Sequence, residues 1–217
     1  MAIAHDSSTA VTATLGVTTK TFSHTCSGSD RILWVAAGAN TAAGDPTGIT
    51  YAGNAMTKVN SVFLQTTWVA LWYIIAPATG ANNVVITCTG TGNVTGGAMS
   101  FTGASQTSIP DSSAADTVQT TVVTSYSRST TTVADNCFTV SSGRANGGLT
   151  ITGGANTTVT QPEVVAMGNY MIRSTAAHTP AGTSTLNVTS ASQDFFSVIA
   201  SFSPLVTPPD IRFSIKM

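Results

Sequence analysis

The sequence predicts an all-β chain folded as an antiparallel β-sandwich, and three observations carry that expectation. Apolar and β-branched runs of roughly five to ten residues recur along the chain, separated by clusters of Gly, Asn, Asp and Pro. No segment sustains the 3.6-residue apolar period of an amphipathic helix. Charged residues make up 8% of the 217, against about 25% in ordinary soluble domains. Their place is taken by Thr, Ser, Gly and Asn, which suit pleated surfaces and tight turns.

Strands are expected near 9–15, 19–25, 31–38, 48–52, 55–63, 66–76, 83–89, 96–102, 117–124, 131–141, 148–152, 163–173, 184–189 and 195–203. The most informative is Thr66-Thr67-Trp68-Val69-Ala70-Leu71-Trp72-Tyr73-Ile74-Ile75-Ala76-Pro77. Trp68, Ala70, Trp72 and Ile74 share one face, and Val69, Leu71, Tyr73 and Ile75 the other. Both faces are apolar, as in a strand buried between two layers. The β-branched and aromatic content, with Pro77 at the end, argues against a helix here.

Between the strands, Asp45-Pro46-Thr47-Gly48 fits a turn with Pro at its second position, and Tyr51-Ala52-Gly53-Asn54-Ala55 a hairpin with positive-φ residues at its tip. Gly80-Ala81-Asn82-Asn83 and Gly90-Thr91-Gly92-Asn93 bracket the strand at 83–89. Residues 103–116 form the longest segment without strand character, a surface crossover between an early and a late block of strands. Two blocks joined by one crossing suit a two-sheet sandwich. The chain then divides into an N-terminal arm (1–8), one sandwich domain (9–204) and a C-terminal extension (205–217), since all-β sandwiches of this size are commonly one unit. In the extension, Ile211, Phe213 and Ile215 alternate with Arg212, Ser214 and Lys216. That pattern fits either an edge strand of the same sandwich or an arm adding a strand to a neighbouring subunit. These three apolar residues are the candidate partner-binding residues.

The net charge of −1, with Lys and Arg scattered, disfavours nucleic-acid binding, which needs a concentrated positive surface. It favours association with other protein surfaces. Cys26, Cys88 and Cys137 show neither metal-site spacing nor a disulfide framework. Cys88 shares a face with Val84 and Ile86 and reads as a small core residue, whereas a Cys26–Cys137 pair stays open. The N-terminus has no basic region followed by an apolar one, and no apolar run approaches the roughly 20 residues that span a bilayer. The expectation is a chain made in a cytoplasm and not inserted in a membrane.

The equipment for catalysis is sparse. Glu163 is the single Glu, and the eight Asp sit in turn-forming contexts, where they cap turns more often than they pair for glycoside hydrolysis. There is no GxSxG elbow, and His5, His24 and His178 are too dispersed to suggest a triad or a metal site. Asp111 and Asp116 lack calcium-loop spacing. Trp34, Trp68, Trp72 and Tyr73 lie in the most apolar strands and read as core, not as a sugar-stacking platform. No enzyme, no cofactor and no metal are expected.

The pieces Arg31-Ile32-Leu33-Trp34-Val35-Ala36, Ile49 to Val59, Leu71-Trp72-Tyr73-Ile74-Ile75-Ala76-Pro77 and Met99 to Thr107 occur in an order that resembles a jelly-roll-like β-sandwich module. That module occurs in uncharacterised phage virion and bacterial surface proteins. Phe138 to Val140, Glu163 to Ala166 and Phe196 to Pro204 resemble its end, and Ala52 departs from a Gly in the module's hairpin. The resemblance implies fold and setting, and it brings no catalytic residues. It implies a bacteriophage structural protein located in the virion, most simply a capsid decoration (cement) protein. Such a protein would act as a homo-oligomer, for example a trimer, bound to a major capsid or tail protein. The alternative is a tail or fibre component, or an adhesin whose loops, such as 103–116, contact a host receptor or carbohydrate.

Overall fold

The computed structural model describes residues 1–115, 119–145, 150–161 and 167–206. Fourteen strands are formed: β1 (Ala4–Cys26), β2 (Ile32–Asn40), β3 (Pro46–Tyr51), β4 (Asn54–Ala55), β5 (Thr57–Leu64), β6 (Thr67–Ile75), β7 (Gly80–Thr102), β8 (Ser112–Ala115), β9 (Gln119–Thr131), β10 (Phe138–Ala145), β11 (Thr152–Gly153), β12 (Thr157–Gln161), β13 (Asn169–Ser174) and β14 (Thr183–Phe202). All ladders are antiparallel, and no helix occurs among the described residues. The all-β, antiparallel sandwich expected from the sequence is the observed fold.

The strands form two seven-stranded sheets. The first runs β4-β3-β7-β2-β6-β5 with β1 also on β7; the second runs β11-β14-β10-β13-β12 with β8 and β9 on β14. The second sheet repeats the connectivity of the first: β8 and β9 stand for β1, β10 for β2, β11 for β3, β12 for β5, β13 for β6 and β14 for β7. In each half a long strand carries two partners along one edge. On β7, Val84–Cys88 pairs with β3 and Val94–Phe101 with β2. On β14, Val188–Thr189 pairs with β11 and Phe195–Phe202 with β10. The two halves meet at an isolated bridge between Ala104 and Pro204, where β7 and β14 end.

This connectivity curls each sheet around a core of its own and leaves a third core between the sheets. Alternate residues of β2 and β6 are divided accordingly. Leu33, Val35, Ala70 and Trp72 face Ile49, Tyr51, Val84 and Ile86 within the first half. Ile32, Trp34 and Leu71 face Phe138, Val140, Met171 and Phe202 across the two halves. Tyr126, Tyr170, Ile172, Leu186 and Phe195 fill the second half. The two apolar faces read at Trp68 to Ile75 are therefore the walls of two different cores.

Several expectations are corrected. The segments 9–15 and 19–25 are one strand, as are 83–89 with 96–102 and 184–189 with 195–203. The intervening residues read as turns but form irregularities of register within continuous strands, at Val11 to Thr19 and Thr189 to Phe195. At Gly90 and Gly92 on β7, a Cβ would overlap the Ala42 carbonyl oxygen and the Asn40 carboxamide, so these glycines mark a close approach rather than a chain reversal. The turn placed at 45–48 lies earlier, because Pro46 already opens β3. Residues 4–8, read as an arm, are strand, with Ala4 opposite Thr102 and His5 opposite Phe101. The crossover at 103–116 ends in β8, anchored by Asp111 N–H donating to Ser201 O (3.1 Å). Part of the strand expected at 163–173 lies outside the described residues, and β13 begins at Asn169. The hairpin tip at Ala52 and Gly53 has φ of 50° and 80°, the two positive values that a tight two-residue hairpin needs.

Candidate functional site

Ile211, Phe213 and Ile215, the predicted contact residues, lie outside the described residues, as do Glu163 and Asp116. The chain leading to the first three is described as far as Val206. Leu205 N–H donates to Gly103 O (2.9 Å), and the N-terminal ammonium of Met1 donates to Leu205 O (3.0 Å). The chain start and the approach to the C-terminal segment thus share one corner of the molecule, beside the Ala104–Pro204 bridge.

The structure gathers a polar cluster that no sequence motif announces, because its hydrogen-bonded pairs are 15 to 94 residues apart. Ser100 on β7 donates its hydroxyl proton to Asp6 Oδ2 (2.8 Å). The Ser27 backbone N–H also donates to that carboxylate (2.8 Å). His24 Nε2 lies 3.1 Å from Ser100 Oγ, and its Nδ1 lies 2.9 Å from Thr9 Oγ1. Because the single Ser100 proton is directed at Asp6, His24 must donate from Nε2 to Ser100 Oγ and accept from Thr9 at Nδ1. A serine nucleophile needs the opposite arrangement, with histidine accepting the hydroxyl proton. Ser100 and His24 are also fully buried. Burial holds the His24 pKa down to about 4, against the nearby Asp6 carboxylate, which raises it. Burial raises the Asp6 pKa, but the Ser27 and Ser100 hydrogen bonds and the proximity of His24 outweigh it and hold the carboxyl below its usual range.

The second half carries a matching pair: Ser201 on β14 donates to Asp111, and Cys137 Sγ lies 3.2 Å from Asp111 Oδ2. The two clusters tie β1 to β7 and the crossover to β14. Their hydrogen bonds cross-link these strands. Cys26, Cys88 and Cys137 are free and buried. Cys88 packs with Val84 and Ile86 as read from the alternation, and the Cys26–Cys137 pairing left open by the sequence does not form. Trp34 and Trp72 are core residues, and Trp68 packs partly buried against the first core.

Two open clefts are lined by described residues. One, of about 380 Å³, lies between the halves and is bordered by Asn40, Thr67, Asn93, Arg144 and Met167. Two of its polar groups are engaged internally: Asn40 Oδ1 accepts from the N–H groups of Ala43 and Asn93 (3.1 and 3.0 Å), and Arg144 Nε donates to Met167 O (2.7 Å). The other, of about 330 Å³, lies in the second half where the connection from β13 to β14 passes the turn after β11. It is bordered by Asn156, Ser174, His178, Thr179, Thr185 and Asn187 among others, with no Lys, Arg, Asp or Glu among the described residues of its wall. His178 is half-buried, and its backbone is held by a bridge to Cys137. No group of three or more His, Cys, Asp or Glu residues that could hold a metal ion occurs among the described residues.

Compared with protein-family models, with curated proteins and with solved structures, the chain gives no match in any of the three.

Proposed function

We propose that the chain is a non-enzymatic structural protein of a virus particle, a capsid decoration protein that strengthens a shell through protein–protein contacts as a homo-oligomer. The observation that supports this reading most is where the charges go. Lys58 bridges to Asp45 (2.5 Å), and Lys20 is buried on Thr14 (2.7 Å). Arg31 donates to Pro77 O (2.9 Å) and Arg144 to Met167 O. Asp6 and Asp111 are taken up by Ser100 and Ser201. With these charges spent on internal cross-links, the surface is left largely to Thr, Ser, Asn and Gly. Such a neutral surface repels a neighbouring protein weakly and costs little to desolvate in a shell interface of roughly 1,200–2,000 Å².

The test is light scattering of the purified chain, followed by co-sedimentation with particles from its source. A closed oligomer that travels with the particles is expected, and a monomer indifferent to them would overturn the reading. A chain ending at Val206 lacks Ile211, Phe213 and Ile215; it should keep the sandwich and lose assembly. Normal assembly by that chain would remove the C-terminal segment from the interface.

A further inference from the structure

The repeat in connectivity makes one difference between the halves informative. Through the end of β3 the chain reads Ile49-Thr50-Tyr51-Ala52-Gly53-Asn54; in the matching place of the second half it reads Ile151-Thr152-Gly153-Gly154-Ala155-Asn156. In the first half Tyr51 is fully buried, and its hydroxyl lies 3.2 and 3.1 Å from the carbonyl oxygens of His24 and Gly80. Its ring stoppers that end of the sandwich. In the second half no described side chain is placed to do so: β11 is two residues long where β3 is six, and a Cβ at Gly153 would overlap the Thr157 carbonyl oxygen. The strand connection beside this place is also longer, running over 175–182 where the first half uses 76–79. The 330 Å³ cleft lies at this unstoppered end.

We infer that the cleft is a binding site for a neutral, polyhydroxylated ligand, a single sugar residue. The wall excludes the other ligand classes. With no charged side chain in it, an ionic ligand would lose its hydration without compensation. The wall's hydroxyls, carboxamides and imidazole would be left unsatisfied by an apolar ligand. The volume is at the small end of ligand pockets, roughly 300–1,000 Å³.

Several wall groups are already engaged: Ser174 Oγ accepts from Thr139 N–H (3.2 Å), Ser184 Oγ accepts from the Thr139 hydroxyl (2.8 Å), and Thr179 Oγ1 donates to Asn136 Oδ1 (3.0 Å). They fix the shape of the site. The side chains of His178, Asn156 and Thr183 form no hydrogen bond with other described residues and are the groups available to a ligand. An imidazole, a carboxamide and a hydroxyl together offer donors and acceptors in the mixture that adjacent sugar hydroxyls require. The site is independent of the assembly surface proposed above, so either reading survives failure of the other.

The experiment is saturation-transfer difference NMR on the full chain with glucose, galactose and N-acetylglucosamine, beside glucuronate and a linear alkyl alcohol of similar size. At least one neutral sugar should show transfer, and the anion and the alcohol none. Ala177 is exposed at the wall, so Ala177→Trp fills the cleft without entering a core and should abolish the signal while the thermal unfolding midpoint stays unchanged. His178→Ala should weaken binding about tenfold, the loss of one good hydrogen bond. No transfer from any neutral sugar, or transfer that persists in the Ala177→Trp protein, would overturn the inference.

Discussion

Phe101 near the end of β7 and Phe202 at the end of β14 meet across the two halves, with ring centroids 5.0 Å apart and planes inclined by 64°. Neither is exposed. Each follows the serine that captures a carboxylate of its own half, Ser100 for Asp6 and Ser201 for Asp111. The junction of the halves is therefore a pair of edge-to-face rings flanked by two part-buried hydrogen bonds. Trp34 joins it, 5.4 Å from Phe202.

Removing one ring should be costly. Phe202→Ala leaves a cavity in the core to which both halves contribute, and large-to-small changes of this kind destabilise by about 3–5 kcal/mol. Urea unfolding should show the unfolding free energy falling by that amount, with a lower midpoint at an unchanged slope. If the halves hold together through this junction alone, the transition should also broaden or divide as each half melts about its own core.

The His24 cluster gives stability a pH dependence whose sign follows from the lowered pKa. The folded chain keeps His24 neutral down to about pH 4, whereas the unfolded chain takes up that proton near pH 6.5. The unfolded state thus binds more protons across this window, and stability falls as pH falls from 6.5 to 4, by up to about 3 kcal/mol. Asp6, whose pKa is lowered, adds a further loss only as the carboxylates protonate below that range. His5, lowered by burial and by Arg173, adds to the same slope as His24. Urea midpoints measured between pH 4 and pH 7.5 should show the slope, and His24→Gln should reduce it without abolishing it. An unchanged slope in that variant would show that His24 is not the titrating group.

Two glycines of the long strands should respond differently to alanine. At Gly16 nothing lies within 4 Å of an added Cβ, and the cost is the left-handed backbone alone, φ 66°, about 1–2 kcal/mol. At Gly90 the φ is ordinary but the Cβ would overlap the Ala42 carbonyl oxygen, and backbone cannot swing aside as a flexible side chain can. Gly90→Ala should therefore lower the thermal midpoint more than Gly16→Ala. The reverse order would place the strain in the backbone torsion and not in the close approach.

The three thiols should be inert in the folded chain. Burial raises the Cys26 pKa, and pushes that of Cys88 up to about 11; burial and the adjoining Asp111 carboxylate push that of Cys137 up to about 12. Thiolate is the reactive form. A disulfide reagent at pH 8 should label none of the three until denaturant is added, and then all three. Fast labelling of Cys137 in the native chain would show that the Asp111 contact opens.

Among the predictions from sequence, those that rest on strict alternation were legible because the period-two pattern reports directly which side chains share a face. The apolar faces of Trp68 to Ile75 and the burial of Cys88 follow from it. The hairpin at Ala52 and Gly53 was legible because a tight turn needs residues tolerant of positive φ. The strand breaks at 90–93 and 190–194 were misread because glycine, serine and threonine serve equally in a turn and in a bulged strand. Only the partner strand, β1 for β7 and β9 for β14, tells the two apart. The Asp6–Ser100–His24 cluster and the cleft at His178 left no signature, since each draws on segments far apart in the chain and on residue types spread throughout it.

By itself, then, the sequence determined the strand chemistry: an all-β chain, two-faced apolar strands and a surface poor in charge. The tertiary structure decided which strands were continuous, that the second half repeats the connectivity of the first, and where the scarce charges and the open cleft came to lie. The physical reason is that alternation and turn preference act between neighbours in sequence. Ladder register, carboxylate capture and the presence or absence of a Tyr51-like stopper depend on residues brought together only when distant strands pair.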